Sequence, residues 1–358
     1  MAETHNFRAS YLHAVSRQIF MAVETPRHIA DTVAGILVNA NLSGHDSHGV
    51  LRITSYLDMM ANNRLHPKVE PEVVKETDTT FVVNAGFGFG HFTARKSIEL
   101  AIDKAKRFNV ACASLYDTSH IGRLGEYLEV AARAGCISMV TFGAGQQGAW
   151  PVVPFGGAVG GLSTNPIAIG CPTGDDSPFV ADIATSVIAE GKLRVARSKG
   201  VNVPEGHIVD KHGNPTVNTM DFYDGGSLLP FGGHKGYALS LVTCLLGGLS
   251  EEFDIEKGSM GGVFMQVINV EAFTPLGQYQ QAVRAFLDSM RATTPAPGFD
   301  EVLVPGDFEF RCRAERLVSG IDLPDTIHQK LQEHAAELNI SLGDEIVEPD
   351  DIARYQVS

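Results

Sequence analysis

Five short stretches of this chain combine residue types that can do chemistry. The first is Gly44-His45-Asp46-Ser47-His48-Gly49-Val50-Leu51-Arg52. Asp46 or Ser47 suits the N-cap of a following helix. That start would place His48 and Arg52 four apart on one helix face. An imidazole above a guanidinium, at the positive end of a helix, suits an anionic substrate. Arginine grips a carboxylate through two parallel hydrogen bonds. A capped helix start with solvated polar residues is the plain alternative. A metal site from His45, Asp46 and His48 is the rival, and it lacks convincing further ligands nearby. No metal ligand is assigned on this basis.

The second stretch, Asp117-Thr118-Ser119-His120-Ile121-Gly122-Arg123-Leu124-Gly125, follows a strand pattern and opens a helix pattern. Open α/β sheets place ligand contacts at such turns, and His120 titrates in the range needed for proton transfer. The third is the glycine run Asn84-Ala85-Gly86-Phe87-Gly88-Phe89-Gly90-His91. Its spacing is G-x-G-x-G, not G-x-G-x-x-G, and no acidic residue ends a second strand about 20 positions on. It reads as a turn lining a cleft. The fourth is Val180-Ala181-Asp182-Ile183-Ala184-Thr185-Ser186, ahead of a helix carrying Gly191-Lys192. Its carboxylate and hydroxyls are helix caps, or hold a ribose, or orient a histidine. The fifth, Gly232-Gly233-His234-Lys235, opens a helix and suits a phosphate or amide ligand, or is a bare solvated lysine. Signatures of P-loop ATPases, zinc proteases and α/β-hydrolases are absent.

These stretches must be positioned by a chain of 358 residues, enough for two domains or one large one. Hydrophobic residues make up 44% and charged residues 20%, which excludes wholesale disorder. A net charge of −14 argues against a nucleic-acid partner, which needs a basic face. The longest nearly apolar stretch, 236–249, is interrupted by Ser240 and Thr243 and is too short to span a bilayer. No secretory leader pattern is visible at the N-terminus. Five scattered cysteines without a C-x-x-C spacing argue against a disulfide framework and fit a reduced, cytoplasmic protein.

Apolar periodicity predicts helices over 7–23, 26–41 and 47–62. Strands at 81–83, 110–115 and 137–142 then alternate with helices at 92–108 and 122–134, the pattern of an α/β unit. Residues 144–178 read as short strands and binding loops. Further helices are expected at 186–199, 235–249 and 278–292, a strand at 263–270, a surface loop at 293–298 and a helix at 325–338.

Taken in order, six segments resemble one family. They are Asp46-Ser47-His48-Gly49 with Arg52 and Tyr56; Ser119-His120-Ile121-Gly122; Ser163-Thr164-Asn165-Pro166; Asp182-Ile183-Ala184-Thr185-Ser186; His234-Lys235-Gly236-Tyr237; and Val304-Pro305-Gly306 with Gly320-Ile321. The ordered set resembles the malate/L-lactate dehydrogenase family that is unrelated to the Rossmann lactate dehydrogenases. Among its members it looks most like the hydroxycarboxylate dehydrogenase type.

The resemblance implies an α/β fold with a mixed β-sheet cofactor domain of the sulfolactate dehydrogenase-like type, not an ordinary Rossmann fold. It implies a helical substrate and dimer domain from 1–80 plus 293–358, and an NAD(P)-binding domain over 81–292. By position, His120 matches the acid/base. His48, with Ser47, matches a second site histidine that also touches the nicotinamide. Arg52 matches the carboxylate holder. Gly122-Arg123-Leu124, Asp182-Ile183-Ala184, His234-Lys235 and Pro305-Gly306-Asp307 match cofactor-contacting segments.

The expectation is therefore a homodimeric enzyme passing a hydride between NAD, or NADP, and a small malate- or lactate-like 2-hydroxy acid. The alternatives are a cyclic-imine or 2-keto-acid amine reductase on the same scaffold, and a metal-dependent lyase or hydrolase using His45, Asp46 and His48. Two positions depart from the family's pattern. His91 stands where many members have Gln, and Lys192 stands where imine-reducing members carry an acidic residue.

Overall fold

An eight-stranded mixed sheet carries the middle of the chain in this computed structural model, which describes residues 4–356. Residues 1–3 and 357–358, at the outer ends of the expected helical segments, lie outside the described residues. Across the sheet run Glu72–Glu76, Thr80–Asn84, Val110–Tyr116, Ser259–Asn269, Cys136–Gly145, Ile167–Cys171 and Phe179–Ile183, with Phe253–Asp254 paired at the side. Thr80–Asn84 and Val110–Tyr116 are parallel, joined by the long crossover helix Gly90–Phe108 that parallel pairing requires. The other neighbours pair antiparallel. The sheet is thus mixed, and the expected fold class holds.

The central strand Ser259–Asn269 is covered on both faces. Val263, Met265 and Val267 pack with Ala101, Ala105 and Leu128 from the helices Gly90–Phe108 and Gly125–Arg133. The opposite face lies against the helix His234–Gly247. That approach depends on glycine. A Cβ on Gly143 would overlap the backbone of Thr243 and Cys244, and one on Gly262 would lie 2.7 Å from Gly247 O.

A second core joins the two ends of the chain. Leu12, Ile19, Val33, Leu37, Ile53 and Tyr56 from the N-terminal helices pack with Ile321, Leu323 and Leu331. The strand Thr4–Phe7 pairs antiparallel with Ile321–Pro324. A small three-stranded sheet of Ile208–Val209, Pro215–Thr216 and Ser227–Leu228 lies beside the helix Glu190–Ser198.

The structure corrects several expected elements. The helix expected over 47–62 is two pieces, a 3-10 turn Asp46–His48 and a helix Arg52–Ala61. Extended backbone at Gly49 separates them (φ −88°, ψ −155°). The cause is Asn41, buried at the end of the helix Arg27–Leu42. It accepts the Val50 N–H at 2.9 Å, donates to Asp46 at 2.7 Å, and fills the space a Cβ at Gly49 would need. Neither Asp46 nor Ser47 is therefore the cap of that helix; Leu51 is, without a side-chain bond. His48 and Arg52 do not share a helix face. The helices expected from 122 and 186 begin at Gly125 and Glu190. The strands Thr4–Phe7 and Glu72–Glu76 and the helix Asp307–Ser319 were not expected.

Candidate active site

His120 stands on the turn after the strand Val110–Tyr116, and its neighbour Ser119 fixes that turn. The buried Ser119 Oγ accepts the Gly90 N–H and donates to Gly88 O, both at 2.8 Å. A Cβ on Gly90 would overlap Ser119 O and lie 2.7 Å from His120 O. The glycine run is thus a close-approach wall behind His120, in place of a phosphate loop.

Around His120 the chain gathers a ring of polar groups. His120 Nδ1 lies 2.7 Å from the hydroxyl of Tyr56, which is 2% exposed. The same hydroxyl lies 3.3 Å from Nε2 of the fully buried His91. The His48 ring lies nearly parallel to that of His120, with centroids 5.5 Å apart and planes at 29°. His48 Nδ1 bonds Ser47 Oγ at 2.9 Å. Arg52 donates from Nε to Ser47 O at 2.7 Å, its only side-chain bond among the described residues. The rest of its guanidinium is free for an anion.

The electrostatics follow from this crowding. Burial is the main cause holding His120 well below the usual histidine range, and His91, His48 and Arg52 add to it. Burial, then the Arg52 guanidinium, brings His48 down to about 4. Burial, then His48 and Arg52, brings His91 down to about 3. All three imidazoles are therefore neutral near pH 7, and a neutral imidazole is a base. Tyr56 has one hydroxyl proton for two imidazole nitrogens. If His120 carries its proton on Nδ1 and donates to Tyr56, Tyr56 donates to His91 Nε2. His120 Nε2 then keeps a free lone pair.

The segments expected to contact a cofactor lie as follows. Asp182 is next to last in the strand Phe179–Ile183, and its Oδ2 accepts the Gly125 N–H at 2.7 Å. It is a cap, but of the helix Gly125–Arg133 and not of the one that follows it. Burial raises its carboxyl. Ile183 is exposed and Ala184 half-buried. Gly122, in the left-handed region, lies against His91. Arg123 and Leu124 are buried, and the Arg123 guanidinium pairs with Glu129, which also takes Arg133 and Arg313. Arg123 thus has backbone, not charge, to offer a ligand. Pro305 and Gly306 lie along the same edge, where Pro305 O accepts the Val180 N–H at 3.4 Å. Asp307 is held by two bonds from Arg291 and by the Val304 N–H. His234 and Lys235 are exposed at the start of their helix, after Gly232 and Gly233, both in the left-handed region. Phe231 N–H to Thr185 O at 3.0 Å ties that loop to the Asp182 segment. The helix Glu190–Ser198 reaches Ser47, the partner of His48, since a Cβ on Gly191 would lie 3.6 Å from Ser47 Cβ.

The structure therefore brings Ser47, His48, Arg52 and His120 together. It does not gather His45, Asp46 and His48 around one point. His45 bonds Glu309 at 3.0 Å, Asp46 takes Arg316 and Asn41, and His48 takes Ser47. Tyr56 entered the reading of the sequence only within a family-matching segment, and His91 only at the end of the glycine run and as a departure from the family's pattern; neither was assigned a role in the chemistry. Their signals were one helical turn from Arg52 to Tyr56, and a histidine closing the glycine run.

The family model for malate/L-lactate dehydrogenase matches residues 7–332. The malate dehydrogenase of Pyrococcus horikoshii is 33% identical over 341 residues, covering 90% of this chain and 92% of its own. Hydroxycarboxylate dehydrogenase B of Escherichia coli O157:H7 is 33% identical over 354 residues, covering 95% and 96%. The crystal structure of malate dehydrogenase from Entamoeba histolytica superposes with a TM-score of 0.87 at 28% identity, covering 95% of this chain and 99% of that one.

Proposed function

The chain belongs to the malate/L-lactate dehydrogenase family, and from that premise we propose that it oxidises a small malate- or lactate-like 2-hydroxy acid with a nicotinamide cofactor. One observation carries the reading. A neutral His120, held from behind by buried Tyr56, shares a site with an Arg52 that no carboxylate among the described residues occupies. Arg52 would hold the substrate carboxylate through its free guanidinium nitrogens. In the tautomer whose Nδ1–H is engaged by Tyr56, His120 Nε2 would take the hydroxyl proton. His48, set by Ser47, would wall the reacting carbon on the other side. When bound, the nicotinamide accepts the hydride from that carbon.

The residues fit such a cofactor. The Gly232-Gly233 turn lets backbone approach a phosphate closely at the start of a 14-residue helix, with Lys235 exposed beside it. Gly122, the backbone of Arg123 and Leu124, Asp182-Ile183-Ala184 and Pro305-Gly306-Asp307 would line the rest. NAD is preferred to NADP. The preference rests on the family resemblance; on the helix Glu190–Ser198 and just after it, Arg194 pairs with Glu190 at 2.9 Å, Arg197 lies over the Tyr223 ring at 4.4 Å and Lys199 is exposed.

A homodimer is part of the proposal. Leu241, Leu245 and Leu249 leave an apolar stripe 39%, 62% and 59% exposed on and just beyond the helix His234–Gly247, beside a cavity of about 620 Å³. We keep the division into a helical unit (1–80 with 293–358) and a cofactor unit (81–292); the expectation put the dimer contact on the helical unit, and this apolar stripe adds a candidate dimer face on the cofactor unit. No helix among the described residues is long and apolar enough to cross a membrane. Five free thiols suit the reducing cytoplasm.

The test is a fluorescence titration with NADH and NADPH, then a screen of 2-hydroxy acids beside cyclic imino acids. Saturable NADH binding and turnover of a 2-hydroxy acid are expected. A folded protein that binds neither cofactor refutes the proposal. Turnover of cyclic imino acids alone would replace the substrate class with that of an imine reductase.

A further inference from the structure

Far along the chain from the catalytic histidines, two imidazoles and a carboxylate meet where the chain's ends join. His5 belongs to the strand Thr4–Phe7, whose pairing with Ile321–Pro324 sets His5 opposite Leu323. Asp325 and His328 lie three apart in the first turn of the helix Asp325–Glu337, so they share a face. His5 Nε2 lies 2.9 Å from Asp325 Oδ1, and the His5 and His328 ring centroids are 4.3 Å apart. One ligand atom from each of the three residues lies within 4.8 Å of the other two.

The geometry points to a divalent transition-metal site made by His5, Asp325 and His328, which clips the N-terminal strand to the C-terminal helix. Two neutral imidazoles and one carboxylate are the donor set of zinc and its first-row neighbours, and too nitrogen-rich for magnesium or calcium. Donors about 2.1 Å from such an ion lie roughly 3.0–3.4 Å apart, and the His5–Asp325 separation is already of that order. Two features support the ligands from behind. Gln329 Nε2 donates to Asp325 Oδ2 at 2.6 Å, fixing the carboxylate with Oδ1 turned to His5. The Phe7 ring lies 5.1 Å from that of His328. His5 and Asp325 are each about one-third exposed, at 32% and 33%, which leaves the remaining coordination positions to water.

The other group of three close donors among the described residues, His13, Asp31 and Asp351, makes the contrast. Its carboxylates are already taken by Arg17 and Arg354, so a cation would have to displace guanidinium groups. At His5, Asp325 and His328 no Lys or Arg among the described residues competes. The sequence assigned no metal, because His5 and Asp325 are 320 residues apart.

The experiment uses the full chain, untagged and stripped with chelator, titrated with Zn2+ by calorimetry and with Co2+ by absorption. We expect one equivalent bound, a melting temperature that rises with Zn2+ to saturation, and weak visible Co2+ bands without an intense thiolate band. His5→Ala and His328→Ala should each weaken binding at least about tenfold, the loss that follows even when a supporting partner of a ligand is removed. His48→Ala should leave it unchanged. Both variants remove half-buried surface side chains, so circular dichroism should show the fold retained. If His328→Ala fails to fold, His328→Gln takes its place. Unchanged affinity in both variants, loss in His48→Ala, or a thiolate band overturns the proposal.

Discussion

Replacing Tyr56 by Phe tests the proposed chemistry most directly. The substitution removes one oxygen and no carbon, so the ring keeps its place in the core and its edge contact with Phe89. What disappears is the hydroxyl 2.7 Å from His120 Nδ1 and 3.3 Å from His91 Nε2. A buried hydrogen bond lost from one side is worth about 1–2 kcal/mol. Tyr56 is 2% exposed, so it has no surface to offer a substrate. The cost should therefore fall on the orientation and tautomer of His120. Each 1.36 kcal/mol is tenfold in rate, so kcat should drop about 5- to 30-fold with KM nearly unchanged. Burial, the first cause of His120's lowered pKa, is untouched. The acid limb of the oxidation rate should then stay below pH 6.5 while its plateau falls. The assay is steady-state oxidation of the hydroxy acid from pH 5 to 9, with a denaturation curve to show that the variant folds. A raised KM at constant kcat, or a kcat within twofold of the parent, would refute the role given to Tyr56.

Arg52→Gln should raise KM for the acid about ten- to a hundredfold, the worth of a charge-assisted pair of bonds, and leave NADH binding intact; parallel kinetics and fluorescence titration check both. Gly90→Ala would drive a methyl against Ser119 O and His120 O. It should cost about 1–3 kcal/mol of stability and lower kcat at least about tenfold, and unchanged values of both would dismiss the close-approach wall. Stability itself should fall with acid. Above pH 6.5 His91 is neutral in both states; below it the unfolded chain gains a proton that the native state, with His91 at about 3, refuses. From pH 6.5 to 5 that single group removes about 2 kcal/mol, and His48 and His120 act in the same direction. The carboxylates Asp31 and Glu129, both at about 2, act only in stronger acid. Urea midpoints at pH 7.5, 6.5 and 5.0 test this, and a flat profile would contradict the buried neutral histidines.

Elements with their own periodicity were legible without coordinates. The helix Gly90–Phe108 has a continuous apolar stripe ending in Ala101 and Ala105, and the strand Val110–Tyr116 buries Ala111, Ala113 and Leu115 on one face, with Ser114 buried on the other. Those that were missed have no such signal. The strand Glu72–Glu76 is exposed at every position, and the helix Asp307–Ser319 buries none of its residues. The break at Gly49 is set by a side chain from another helix, so the sequence around Gly49 still reads as one helix.

By itself the sequence determined the chemical inventory: which histidines, arginine and glycines lie on strand-to-helix turns, and that the glycine run lacks the dinucleotide spacing. It also carried, through six ordered segments, the family to which the chain belongs. Only the tertiary structure decided which groups act together. Tyr56 and His120 are 64 residues apart, Tyr56 and His91 35, and His5 and Asp325 320. Arg123, a charge on paper, is spent on Glu129, while Arg52 is left open. The physical reason is the range of the forces. Helix and strand patterns arise between neighbours in sequence, whereas desolvation and hydrogen-bond partners are fixed only when distant segments close around one another.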